Sequence, residues 1–163
     1  MDKAYAYKNK RSVVMRSSSG GAFWGIAEAF FEMGGGTCYG AKFDSDFKVV
    51  HGKAKKLEEC LAFQGSKYVQ SDMTNCFVEV KHDLKEGKNV LFTGTPCQVA
   101  AIKKYLSRNK IDDSGLYTVD IVCHGAPGPV VWHDYINYIQ NKEHSKLIKF
   151  SFRYKPHGWK GYP

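Results

Sequence analysis

Two cysteines lie where a thiol could do chemistry. Residues Asn89–Gln98 read NVLFTGTPCQ: an apolar run, a glycine, and then an unusually legible helix start. Thr95 suits the N-cap, Pro96 the first helical position and Gln98 the third, which makes a capping box with Cys97 inside the first turn. Unpaired backbone N–H groups and the positive end of the helix dipole favour an anion there, so Cys97 is a candidate metal ligand or nucleophile, or else a small packed residue. Residues Asp120–Pro129 read DIVCHGAPGP, so that a strand over Leu116–Val122 is expected to deliver Cys123 just past its carboxyl end, ahead of a Gly/Pro-rich turn and another helix. Ligands of open α/β sheets collect outside the carboxyl ends of strands, and two thiols facing one crevice suggest a metal or a cluster if the strands are neighbours. Two ligands do not close a zinc or iron–sulfur site, which usually takes about four. His124 is a further candidate, with a structural role as its plainer reading.

Two polar segments could hold a cofactor. Ser17-Ser18-Ser19-Gly20-Gly21 immediately precedes a predicted helix at Ala22. Hydroxyls and bare amides at a helix start make a phosphate cradle, although serine and glycine also serve as ordinary caps. Gly65–Ser71, GSKYVQS, gathers a cation, an aromatic ring, an amide and hydroxyls, which suits a flavin or nucleotide as well as it suits an exposed turn. Candidate residues are therefore Ser18, Ser19, Gly20, Gly21, Ser66, Lys67, Tyr68, Gln70 and Ser71, with the Thr93-Gly94-Thr95 turn beside Cys97. Cys38, Cys60 and Cys76 sit among hydrophobic neighbours and are expected to be buried. His51 and His157 have no local partner that would mark either as a base.

These groups need a scaffold, and the chain is long enough to build one. With 163 residues, 43% of them apolar, it can bury the core of one domain. Alternating helical and strand patterns predict an α/β fold: a single domain with a largely parallel or mixed sheet and helices on both faces. Short strands are expected at Ala4–Lys8 and Ser12–Met15, then a helix at Gly21–Met33 that Gly34-Gly35-Gly36 stops. A hairpin of Thr37–Phe43 and Lys48–His51 turns at Asp44-Ser45-Asp46, followed by a short helix near Lys56–Phe63 and an extended segment at Lys67–Gln70. The second half reads helix Thr74–Glu86, strand Asn89–Thr93, helix Pro96–Ser107, strand Leu116–Val122 and helix Pro129–Asn141. The two strands are expected to be adjacent inner strands. Leu147–Tyr154 is one more strand candidate, and the ending KPHGWKGYP completes no element, which reads as a truncation at Pro163.

Composition narrows the partners. No run approaches the roughly 18 apolar residues of a membrane span, and no signal-peptide segment opens the chain, so a cytoplasmic location and no membrane partner are expected. Five widely spaced cysteines do not form a disulfide framework. A net charge of +8 favours polyanions, but the lysines are dispersed and no nucleic-acid motif is present, so no specific nucleic-acid partner is expected.

The segments SSSGGAF, GSKYVQSD, VLFTGTPCQVAAIKKYL and VDIVCHGAPGPVVWHDYI, in this order, resemble the beta-subunit family of coenzyme F420 hydrogenases and dehydrogenases. Tyr39-Gly40-Ala41, Val50-His51, Phe152-Arg153-Tyr154-Lys155 and Gly158-Trp159 extend the resemblance. It implies an iron–sulfur flavoprotein oxidoreductase that passes electrons between FAD, a [4Fe–4S] cluster and F420 or another acceptor. On that template Cys97 and Cys123 are two cluster ligands, and Ser18–Gly21, Ser66–Ser71 and Thr93–Thr95 line the flavin. The family's usual ferredoxin-like region and downstream cysteine pair have no counterpart here, so residues 1–163 are expected to be a partial domain served by a redox partner such as a ferredoxin-like domain or subunit. The alternatives are a metal-free thiol enzyme built on Cys97 and a non-catalytic nucleotide- or partner-binding module. The residues leave the oligomeric state open.

Overall fold

Val90, Leu91 and Phe92 form a continuous apolar run because both faces of their strand are covered, and all three are fully or almost fully buried. In the computed structural model, which describes residues 3–154, this strand is β3, Val90–Gly94. Its side chains alternate. Val90 and Phe92 pack against Val80 of α3 (Cys76–Lys85) and Val99, Ile102 and Leu106 of α4 (Pro96–Arg108). Leu91 points the other way, onto Ala27 and Phe30 of α2 (Ala22–Glu32) and Cys60 and Phe63 of a 3-10 helix at Leu57–Phe63. The expected α/β domain with helices on both faces of a mixed sheet is what the chain forms.

The sheet has four strands in the order β2-β1-β3-β4, with β1 at Thr37–Phe43, β2 at Val49–Ala54 and β4 at Leu116–Asp120. β1 and β2 form the expected antiparallel hairpin, while β1–β3 and β3–β4 pair in parallel. Asp44 builds the hairpin turn, its carboxylate accepting from the Asp46 and Lys48 amides, each at 2.9 Å. At the other end of β1, Gly36 adopts φ +149°, and a Cβ there would lie 2.0 Å from the Asn89 carbonyl, so only glycine lets α2 turn into the sheet.

Several expectations are corrected. β3 and β4 are neighbours, but among the described residues β4 is an edge strand, not an inner one. It ends at Asp120 because its register partner Gly94 ends β3; Ile121 donates one last bond to the Gly94 carbonyl at 3.1 Å, and Val122 is 87% exposed. Ser12–Met15 is not a strand but part of helix α1, Arg11–Arg16, where Val13 and Val14 both donate to the Lys10 carbonyl. Residues 4–8 and 147–154 form no strand either. Leu147, Phe150 and Phe152 are held by side chains, packed around Trp132 of α5 (Pro129–Lys142) with Val49, Val69 and Ile136. The ending KPHGWKGYP, with His157, lies outside the described residues.

One buried ionic cluster pins α3 to the sheet. Asp83, 1% exposed, accepts from the Tyr39 hydroxyl at 2.6 Å and pairs with Lys53 at 3.2 Å and Lys88 at 3.3 Å. Burial pushes its carboxyl up, but the bonds from Tyr39, Lys53 and Thr37 outweigh that and hold it below the usual carboxylate range.

Candidate functional site

The carboxyl edge of the sheet is organised by one chain of hydrogen bonds. α4 begins as its sequence predicts, with Pro96 in the first turn and the Thr95 amide donating to Gln98 Oε1 at 3.0 Å. The Gln98 amide then donates to Ser71 Oγ at 2.8 Å, and Ser71 Oγ lies 2.8 Å from His51 Nδ1. His51 Nε2 lies 3.0 Å from the Thr93 carbonyl, which can only accept, so Nε2 carries the proton and Nδ1 takes the Ser71 hydroxyl hydrogen. Thr93 Oγ1 in turn donates to the Tyr39 carbonyl at 2.9 Å. Every group has a fixed direction, and the relay binds β1, β2, residue 71 and the Thr93–Gln98 turn together. The His51 ring also stacks on Phe92, with centroids 5.4 Å apart and planes 12° apart. Burial lowers the His51 pKa, only partly opposed by its bond to Thr93, in keeping with a neutral ring.

Of the expected site residues, Ser71, Thr93, Gly94 and Thr95 thus meet in one place. Gln70 adjoins them, its amide donating to the Pro127 carbonyl at 3.1 Å. The other end of that segment meets the serine-rich loop, where the Ser66 amide donates to Ser18 Oγ at 2.7 Å. Gly21 is the left-handed N-cap of α2 at φ +82°, with no side-chain cap on the first amides of the helix. Asn9 donates to the Gly20 carbonyl at 2.9 Å, which lays the N-terminal segment beside Ser19 and Gly20. Residues 66–71 therefore span from the start of α2 to the start of α4. Within them, the Lys67 ammonium donates to the Ala62 and Gln64 carbonyls, each at 3.1 Å, and burial lowers its pKa to about 8. Tyr68 is 46% exposed and meets Phe152 edge-on at 5.5 Å.

The two candidate metal ligands are exposed, and Cys38, Cys60 and Cys76 are buried, as expected. Gly94 and Asp120 are register partners, and Cys97 and Cys123 each follow their own partner by three residues. Thr95 Oγ1 sits 3.1 Å from Cys97 Sγ, and the Gly125 amide donates to Cys123 Sγ at 3.4 Å. His124 is exposed on the same loop. Among the described residues, the only cluster of three or more potential ligands is His82, Asp83 and Glu86, away from these thiols and already engaged by Lys88.

Alongside the relay lies an open cleft of about 1690 Å³, walled by Gln70, Ser71 and Gln98 on one side and by Trp132, His133 and Asn137 of α5 on the other. α5 is held there by aromatic contacts: Trp132 stacks on Phe43 at 5.9 Å and donates its indole N–H to the Phe47 carbonyl at 2.6 Å. His51 is the residue that sequence reasoning missed. Its partners lie 20 and 42 positions away, and the only sign of it was the Val50-His51 pair within the family resemblance.

Comparison with known proteins agrees with this architecture. No curated protein matches the chain. Among solved structures it is similar to a chain in "Xenon derivatization of the F420-reducing [NiFe] hydrogenase complex from Methanosarcina barkeri", with a TM-score of 0.65 and 19% identity over 83% of this chain and 48% of that one. At that identity the likeness is one of fold, and the chain spans about half the length of this relative. Residues 87–162 match the family model for the C terminus of the coenzyme F420 hydrogenase/dehydrogenase beta subunit. This stretch holds β3, the start of α4, β4 and both exposed thiols, and over it the chain is similar to the beta-subunit family of coenzyme F420 hydrogenases and dehydrogenases.

Proposed function

We propose that this chain is the flavin-binding part of an electron-transferring oxidoreductase, with Cys97 and Cys123 as a half-site for a [4Fe–4S] cluster. The observation that carries the reading is the unbroken strip from Ser18 through residues 66–71 to the Thr93–Gln98 turn, ending beside an exposed thiol. FAD fits the residues present. The uncapped amides of α2 and the Lys67 ammonium suit its phosphates, since two of the three Lys67 donors are used on carbonyls and a third remains for an anion. Gln70 and Ser71 border a cleft large enough for a ring system, and Tyr68 offers an aromatic face. A bound flavin would supply exchange between two-electron and one-electron carriers. The residues here bind it, orient it and hold the relay in one protonation state.

A complete cluster does not fit these residues, because a cubane normally takes about four thiolates and the other three cysteines are buried. The missing ligands and the redox partner, a ferredoxin-like domain or subunit, would come from elsewhere. The solved relative is an F420-reducing hydrogenase complex, which makes F420 the first acceptor to try.

Anaerobic purification followed by visible spectroscopy tests the reading, with FAD titration on Lys67→Glu and Lys3→Glu variants. Lys67→Glu is expected to weaken FAD about 10- to 100-fold, the worth of a charge-assisted hydrogen bond, and Lys3→Glu to leave it unchanged. Equal losses would reduce the site to a net-charge effect. Reconstitution with iron and sulfide, read by iron content and EPR, should give no stable stoichiometric cluster on residues 1–163; a full cluster would overturn the ligand assignment.

A further inference from the structure

We propose that His51 is a positioning residue, which fixes the Thr93–Gln98 turn and through it the Cys97 thiol. Its ring is the one element of the relay that reaches both ends of the turn. Nε2–H holds the Thr93 carbonyl at 3.0 Å where the turn begins, and Nδ1, through Ser71 Oγ at 2.8 Å, holds the Gln98 amide at 2.8 Å where the turn becomes helix. Gln98 returns the connection by accepting from the Thr95 amide at 3.0 Å, and Thr95 Oγ1 lies 3.1 Å from Cys97 Sγ. Cys97 therefore sits between two members of a closed ring of bonds. A ring of this kind works only if one group offers an acceptor on one side and a donor on the other, which the neutral imidazole does. Stacking on Phe92 fixes the ring plane, so both nitrogens are aimed before any ligand arrives.

Cys123 supplies an internal control. It lies just past the neighbouring strand end, with its thiol in contact with the Gly125 amide, and its segment meets the turn through backbone bonds, from Ile121 to the Gly94 carbonyl and from Gln70 to the Pro127 carbonyl. Anything that merely loosens the domain should affect both thiols equally, whereas loss of positioning should affect Cys97, in direct contact with Thr95, more than Cys123. The inference concerns the turn itself and holds whether or not flavin or cluster binds there, so its failure and that of the cofactor reading are separable.

The test compares His51→Phe, which keeps the stack and loses both bonds, with His51→Gln, which restores a donor and an acceptor. Ser71→Ala is the second variant, because it deletes only the central hydroxyl and leaves the core untouched. In the purified protein, His51→Phe and Ser71→Ala are expected to speed hydrogen exchange at the Thr95 amide. They should also change the Cys97 alkylation rate relative to Cys123 by about two- to tenfold, the worth of one net hydrogen bond. His51→Gln should recover part of both. Nitrogen-15 spectra of the wild type should show the Nε2–H tautomer. Unchanged Thr95 exchange in Ser71→Ala, equal changes at Cys97 and Cys123, or an Nδ1–H tautomer would each overturn the proposal.

Discussion

Asp83 offers the sharpest test of how this sheet holds its helices. Its carboxylate is 1% exposed and takes the Tyr39 and Thr37 hydroxyls and two ammonium groups as donors, so Asp83→Ala leaves all four without this acceptor. Breaking a buried ion pair from one side typically costs about 3–5 kcal/mol. The lower end applies here, because the Lys53 and Lys88 side chains are 29% and 44% exposed and can turn to water, while the Tyr39 hydroxyl cannot. About 3 kcal/mol in a domain of this size lowers Tm by about 6–12 °C. Asp83→Asn keeps the volume and an acceptor for Tyr39 and should lose less, and Tyr39→Phe should lose about 1.5–3 kcal/mol with its one charge-assisted bond. The pH dependence gives a second reading. A carboxyl held below its unfolded pKa adds stability that is present above that value and lost as pH falls through the folded one, so stability should drop on the acid side and drop less in Asp83→Asn. Urea unfolding followed by circular dichroism, at constant m, measures both. A loss under about 1 kcal/mol for Asp83→Ala, or an acid limb identical in Asp83→Asn, would refute the argument that this cluster pins α3.

Other outcomes follow from the same contacts. Under native conditions Cys97 and Cys123 should react with a thiol reagent, and Cys38, Cys60 and Cys76 only after denaturation, since burial pushes the Cys76 thiol up to about 12; a third fast thiol would contradict this packing. Lys67 has a folded pKa of about 8, below its unfolded value, so the unfolded chain binds more protons between about pH 8 and 10.5 and stability should rise across that window. Lys67→Met should flatten the rise, which pH-jump unfolding measures. Trp132→Ala should cost about 3–5 kcal/mol, because the indole joins α5 to Phe43 and the Phe47 carbonyl. Amide exchange should show α5 opening before α4; simultaneous opening would mean that other contacts hold α5.

The parts of the molecule legible in the sequence are those written by neighbours in the chain. The start of α4 depends on Thr95, Pro96 and Gln98, all within one turn, and the Asp44 hairpin turn is equally local. β3 was legible because burial on both faces leaves a continuous apolar run. The same signal misled at Val13-Val14, where two adjacent buried valines are compatible with a strand or a helix turn, and the Lys10 carbonyl decides for the helix. It misled again at β4, since apolarity does not tell an inner strand from an exposed edge. The relay could not be read at all: His51, Ser71 and Gln98 come from three separate elements and become partners only once the sheet has closed.

The segment that carries Cys123 leaves the sheet at β4, on one edge, and reaches α5, which packs against the hairpin at the opposite edge. It is tied down at its two ends, by Ile121 on Gly94 and by Pro127 under Gln70, and residues 121–127 are exposed between those ties. Cys97, by contrast, rides on the first turn of a packed helix. The two thiols therefore stand on supports of unequal stiffness, one an anvil and the other a sling. A metal group gripped by both would take its position from Cys97 and its tolerance from Cys123, so that a change of charge or bond length at the group would be absorbed by the sling and passed through Pro127 and Gln70 to the wall of the cleft.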